Sequence, residues 1–371
     1  MLRQILIGLL RPSAWLTSKP LAAVIGLAGA ALGAAPVANA QPVIIRGEPT
    51  CTTCTIERQV IARIGERDDG SIKGPVVTPV ARDSRGRYYV NDQEDGPVKV
   101  FGADGRFSKL LGGKGEAPGE FLWAATLAFG ARDSVFVTDR SLAICNVFDP
   151  ELRFVRSFPI AAAGIGIHAA MTNDLLMVNA SSNRYAGFPF LVFDATGRLV
   201  KQVGPVEPRM DETQTWRTER IIGRAQNGKG GLIVAHRNWY QWWKLSSDLE
   251  PETEFVREAS WFRGYAPPMA REPLPAWADG VSYLKAIWED DENRTWVALG
   301  TIDVRILADG TAERTESSRI EVLDPATRSV MASVTWPETF VSGFSDGTVV
   351  MTEGRKDRPT VLSVMRLSLR R

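Results

Sequence analysis

Cys51-Thr52-Thr53-Cys54 is the short motif whose spacing chemistry most often uses, as a thiol–disulfide pair or as half of a metal site. Only two histidines, His168 and His236, exist to complete a zinc site, and there is no second Cys-x-x-Cys. No His follows Cys54, which excludes the haem-attachment pattern. The pair therefore reads as a disulfide pinning the chain just before its first strand, and no metal or other cofactor is expected. Cys145 lies within an apolar run and reads as a buried thiol. His168 and His236 each have too many possible Ser and Asp partners for spacing to select a catalytic set.

What remains is cationic and aromatic. Trp261, Phe262, Arg263, Tyr265 and Trp277 fall in one long connection, residues 259–280, stiffened by Pro267, Pro268, Pro273 and Pro275. Arg184, Tyr185, Arg217, His236, Arg237, Arg305 and Arg355 stand on neighbouring connections. Trp, Tyr and Arg combine large apolar area with directed donors, which makes them the types that dominate binding interfaces. The competing reading is that these aromatics pack a long loop onto the body of the protein. Trp239, Trp242 and Trp243 belong to an apolar strand and read as packing. A second set, His168, Arg220, Arg224 and Lys285, lies on strands expected to line the centre of the fold, and those strands carry no carboxylate. Such a set favours an anionic or carbonyl-bearing ligand. Alternatively, the cations pair with Asp92 and Asp139.

The elements that position these groups are short strands. Residues 127–129, 135–138, 144–148 and 154–158 are apolar runs rich in Val, Ile and Phe, separated by polar turns. The unit repeats. Val147-Phe148-Asp149-Pro150-Glu151-Leu152-Arg153 is matched by Val100-Phe101-Gly102-Ala103-Asp104-Gly105-Arg106, by Val192-Phe193-Asp194-Ala195-Thr196-Gly197-Arg198 and by Val322-Leu323-Asp324-Pro325-Ala326-Thr327-Arg328. In each copy the Arg follows the aromatic or Leu at the same interval, as in blades of a propeller. Units at 76–112, 113–160, 165–204, 216–257 and 280–336 have four strands each, whereas 339–371 ends one short. Residues 55–65 form a strand with no hairpin partner, and placing them outermost in the last unit completes it. Ile56, Val60, Ile61 and Ile64 are then expected to be buried. The expected fold is all-β: one domain over 41–371, a six-bladed β-propeller of four-stranded antiparallel blades, closed by its N-terminal strand.

Residues 1–40 read as an export signal. Arg3, Arg11 and Lys19 give a basic start, residues 21–35 are apolar, and Ala38-Asn39-Ala40 is a small-x-small cleavage site. The mature chain is expected in the periplasm or outside the cell, as a monomer with no stable membrane insertion. A formal net charge of +1 argues against a nucleic-acid partner.

Gly112-Gly113-Lys114-Gly115-Glu116-Ala117-Pro118-Gly119-Glu120-Phe121, followed by Val135-Phe136-Val137-Thr138-Asp139 and Val147-Phe148-Asp149, resembles the NHL-type repeat of six-bladed β-propellers. Two departures stand out: Ala124 in place of the usual Pro, and Leu245-Ser246-Ser247-Asp248 in place of Val-Phe-Asp. The resemblance implies the fold, within a family that includes binding modules as well as lyases and lactonases, and fold does not choose between them. Loop lengths suggest where a site lies. One face carries tight turns at 83–86, 103–105, 150–152, 173–174 and 345–347. The other carries long connections at 91–97, 112–119, 180–187, 205–215, 259–280, 300–318 and 353–359, and function concentrates in such loops. The expected role is a binding module for a protein, peptide or glycan on the long-loop face. The alternative is a lyase or a lactone or ester hydrolase at the mouth of the central channel.

Overall fold

The computed structural model describes residues 41–66, 72–74, 76, 78–91, 96–160, 165–180, 190–203, 220–224, 231–264, 280–353 and 361–371. Its first strands are β1 (Val43–Ile45) and β2 (Thr55–Ile64). Blade 1 follows as β3 (Ala81–Arg82), β4 (Tyr88–Val90), β5 (Val98–Phe101) and β6 (Phe107–Leu111). A short parallel ribbon, β7 (Gly113–Lys114) and β8 (Glu120–Phe121), leads into blade 2, made of β9 (Ala124–Phe129), β10 (Val135–Asp139), β11 (Ile144–Phe148) and β12 (Phe154–Pro159). Blade 3 is β13 (Ile165–Thr172), β14 (Leu175–Ala180), β15 (Phe190–Phe193) and β16 (Leu199–Val203). Blade 4 contains β17 (Arg220–Arg224), β18 (Leu232–His236), β19 (Gln241–Leu245) and β20 (Pro251–Arg257). Blade 5 contains β21 (Val281–Glu289), β22 (Thr295–Ile306), β23 (Ala312–Asp324) and β24 (Ser329–Trp336). Blade 6 is β25 (Thr339–Gly343), β26 (Thr348–Glu353), β27 (Val361–Arg370) and, outermost, β2. The fold is a six-bladed β-propeller.

The burial pattern explains why these sequences form blades. Second and third strands such as β10 and β5 are buried at every residue, because both faces of each blade are covered by its neighbours. Fourth strands such as β6 and β12 are largely exposed. Apolar clusters sit between successive blades, and the series closes on itself: Val350, Leu362 and Val364 of blade 6 pack with Tyr88, Val90 and Phe101 of blade 1.

The repeated Asp and Arg have a shared task. In the turns of blades 2 and 3, Asp149 and Asp194 each accept the backbone N–H of the residue four ahead and its guanidinium, with Arg153 Nε at 2.7 Å and Arg198 Nε at 3.1 Å. Asp83–Arg87 and Asp290–Arg294 do the same in first-to-second-strand turns. The copy in blade 5 departs: Arg328 itself takes a left-handed conformation, φ 57°, and Asp324 accepts the N–H groups of Ala326 and Thr327 instead. There Leu323 pairs with Val330, where the equivalent Phe148 pairs with Phe154, so this turn is one residue longer.

Closure takes the form expected. β2 pairs antiparallel with β27 from Thr55↔Arg370 to Ile64↔Leu362. Ile64 is buried as expected and Ile56 partly so, but Val60 and Ile61 are not, because the register slips between Val60 and Ala62. Val60 and Ile61 are exposed, while Ala62 and Ile64 turn inward. The N-terminal segment also does more than complete blade 6. β1 adds a parallel fifth strand to blade 4 beside β20, Arg46 pairs with Glu258, and Thr50 donates its backbone N–H to Val330 O of blade 5 at 2.8 Å. Residues 43–64 thus strap blades 4, 5 and 6 in turn. Cys51 and Cys54 form a disulfide on this strap. No helix among the described residues is long and apolar enough to cross a membrane.

Candidate functional site

The innermost strands β3, β9, β13, β17, β21 and β25 surround a central cavity of about 510 Å³. Its walls mix Ala, Val, Ile and Leu with Trp288 and Phe344, and carry the charged side chains Arg82, Asp83, Asp133 and Lys285. A second space of about 310 Å³ lies at the end where the inter-blade connections emerge, bordered by His168, Arg237, Tyr283, Lys285, Glu316 and Phe340. His168 and Lys285 border both.

Lys285 is held in place from blades 5 and 6. Its ammonium donates to Phe340 O at 2.8 Å and pairs with Glu316. Burial lowers its pKa, an effect that Glu316 opposes and that Arg237 and Arg314 reinforce. The expectation that the inner strands carry no carboxylate does not hold: β21 ends in Glu289, buried against Lys244, and Asp83 and Asp133 border the central cavity. The acid that reaches Lys285 comes from β23. Residues 300–318, expected to be a loop, are the continuous hairpin of β22 and β23, paired out to Ile306↔Ala312. Gly300 lies directly across from Tyr283, and a Cβ there would sit 2.9 Å from both Glu316 Oε1 and Tyr283 Cζ. A side chain at this position would push the phenol or the carboxylate aside. Burial first, and then the charge of Glu316, push the Tyr283 hydroxyl pKa up. The Arg237 guanidinium lies 4.6 Å from the Tyr283 ring centre.

The other expected residues divide. His168 is half-buried, with its backbone N–H donating to Asn179 Oδ1 at 2.9 Å. His236 is fully buried; its Nδ1 accepts the Asn238 N–H at 3.0 Å and its ring lies 3.7 Å from that of Trp239. It is an interior group rather than part of the loop surface. Trp261 packs its loop down, against Tyr240 and Phe262 and beneath the Arg319 guanidinium at 4.0 Å. The Arg220 and Arg224 backbones lie on β17, but their side chains are outside the described residues, as are Arg184, Tyr185, Arg217, Tyr265, Trp277, Arg355 and Asp92. Asp139 does not answer the channel cations. Fully buried, it accepts N–H groups from Leu122 and Trp123 at one oxygen and from Ser141 and Leu142 at the other, at 2.8 to 2.9 Å.

That arrangement exposes a feature the sequence reading passed over. Asp139 fixes the connection into β9 against the connection leaving β10, and Arg140 N–H adds a bond to Trp123 O at 3.0 Å. Leu122 and Trp123 are left 42% and 37% exposed, large apolar side chains on a rigid backbone. The Arg140 guanidinium lies 5.1 Å from the indole centre. Beside them is a depression of about 300 Å³ bordered by Asn91, Gly96, Ala124 and Ser141, on the side of the ring where the long connections emerge. Its signal in the sequence was Trp123 directly after the Gly-rich lead-in, with an Asp at the end of the next strand. Among the described residues, no group of three or more His, Cys, Asp or Glu side chains could hold a metal ion.

Solved structures share this architecture. A Bacteroides fragilis protein bearing an exported-protein name superposes with a TM-score of 0.57 at 11% identity, over 88% of this chain and 100% of its own. A member of the DUF4221 family from Bacteroides vulgatus gives 0.57 at 8% identity, over 85% and 98%. Virginiamycin B lyase from Staphylococcus aureus gives 0.44 at 10% identity, over 85% and 100%. The likeness is one of fold. No protein-family model and no curated protein sequence matches the chain.

Proposed function

We propose that this propeller, akin to the NHL-type proteins, is exported after cleavage at Ala40 and works in the periplasm or outside the cell. There it acts as a binding module for a protein, peptide or glycan on its long-loop face. The observation that carries this reading is Trp123. It is an exposed indole on a backbone that the buried Asp139 carboxylate fixes by accepting the N–H groups of Leu122, Trp123, Ser141 and Leu142, so little backbone freedom is lost when a ligand covers it. Arg140 beside it supplies directed donors. The Cys51–Cys54 disulfide is in keeping with an oxidising compartment.

Peptide and glycan arrays probed with residues 41–371 and with the Trp123→Ala variant test the reading. A ligand bound by the parent protein and weakened at least about tenfold in the variant supports it. Equal binding by both removes this part of the face from the site. A second reading, an enzyme working at the channel mouth, draws support from the enclosed surroundings of Lys285.

A further inference from the structure

Lys285 borders the central cavity and the smaller space beside it, so a molecule entering from either reaches the same amine. Its side chain is 15% exposed and that of its partner Glu316 is 19% exposed. In water such a pair stays ionic. Out of water a charge is penalised, and burial lowers the Lys285 pKa. Arg237 and Arg314 act on Lys285 in the same sense as burial, which is how amines are activated as nucleophiles. One proton moved along the Lys285–Glu316 contact leaves a neutral amine beside a carboxylic acid. Phe340 O fixes the Lys285 end of the contact, and Gly300 leaves space for the Glu316 carboxylate beside Tyr283.

We propose that Lys285 is a carbonyl-reactive amine with Glu316 as its proton partner, and that the channel mouth captures a small aldehyde or ketone as an iminium. The Nζ lone pair adds to the carbonyl carbon, forming a C–N bond as the C=O π pair moves to oxygen and takes the Glu316 proton. The resulting ammonium returns a proton to Glu316, giving a carbinolamine. Glu316 then protonates the hydroxyl, water leaves, and the nitrogen lone pair closes the C=N bond. The products are water and an iminium facing the Glu316 carboxylate, with no oxidant or reductant consumed. This site stands apart from the Trp123 rim and does not rest on the binding reading.

The test is glycolaldehyde with sodium cyanoborohydride, applied to folded protein at neutral pH, with peptide mass mapping to follow each lysine. Trapping at Lys285 is expected at least about tenfold faster than at the exposed Lys114. Glu316→Gln is expected to bring Lys285 down to the Lys114 rate or below. Labelling of parental Lys285 no faster than Lys114 overturns the proposal, and that comparison needs no variant to fold. So does a folded Glu316→Gln protein that labels Lys285 at the parental rate.

Discussion

Gly105, in the turn between β5 and β6, lies against the backbone of Arg63 on β2: a Cβ there would sit 2.3 Å from the Arg63 carbonyl oxygen. The contact joins blade 1 to blade 6. It has a counterpart between blades 2 and 3, where a Cβ on Gly197 would sit 2.8 Å from Pro159 O of β12. So β2, although it comes from the other end of the chain, meets blade 1 as an ordinary fourth strand meets its neighbour.

Gly105→Ala tests that seam, with Gly47→Ala as its control. Both glycines have φ near +80°, but nothing lies within 4 Å of a Cβ at Gly47. The control should cost about 1 kcal/mol for the left-handed backbone alone. Gly105→Ala should cost about 1–3 kcal/mol more, because a backbone carbonyl has to give way. Denaturant midpoints at constant m-value measure the difference.

The register slip in β2 predicts opposite outcomes at nearby positions. Ile64 is fully buried and Ile61 is 40% exposed. Ile64→Asp should lower stability by about 3 kcal/mol or more and open the seam to aggregation, whereas Ile61→Asp should cost under about 1 kcal/mol. Thermal unfolding and light scattering on the two variants decide it.

Blades 4 and 5 share a buried ion pair. Arg257 Nε lies 3.2 Å from Glu321 Oε2, both side chains are 1% exposed, and the Tyr240 hydroxyl donates to the same oxygen at 2.8 Å. Glu321→Ala strands a buried guanidinium and should cost about 3–5 kcal/mol. Tyr240→Phe removes one donor from an acid that keeps its Arg and should cost about 1–2 kcal/mol. A larger loss in Tyr240→Phe than in Glu321→Ala would refute this ordering.

Acid should loosen the turn clasps. The Asp194 pKa is lowered to about 2, chiefly by the Thr196 hydroxyl and also by the Arg198 N–H and guanidinium. Unfolded, this carboxyl titrates near its ordinary value of about 3.9. Between those values the unfolded chain binds the extra proton, so the clasp's contribution is present above about pH 4 and is lost as pH falls toward 2. Asp194→Asn should flatten the decline of the urea midpoint between pH 4 and 2, and leave its slope above pH 5 unchanged.

The blades were legible because their residues satisfy one local rule at a time. Val135, Val137 and Val147 are buried on sequence-neighbouring strands, and Asp149 and Arg153 close their turn four residues apart. Even the closing strand showed itself, as an apolar run lacking a hairpin partner. β1 left no such trace, since three residues joining blade 4 in parallel need no turn signal beside them. The outer halves of β22 and β23 escaped notice because Asp303, Arg305, Glu313 and Arg314 are polar, as expected of strands exposed on one face or both. With that hairpin went Glu316 and its approach to Lys285, a long-range contact set by strand pairing rather than by spacing. Trp123 was passed over for a different reason. Its importance comes from Asp139, which accepts its backbone N–H together with those of Leu122, Ser141 and Leu142, and composition does not reveal where a carboxylate points.

The strap has a kinetic consequence. Glu57 and Arg370 pair across 313 residues of chain, and Arg46 and Glu258 across 212. Contacts of such sequence separation form late, after a large loss of chain entropy and long after local hairpins are complete. β2 precedes every blade in the chain, yet its partner β27 follows the first five blades. Until they pair, five blades stand as an open arc with two unpaired ends. The slowest folding step is therefore expected to be the docking of β2 onto β27, a phase that should vanish in a circular permutant that starts at β3 and carries β1 and β2 after β27.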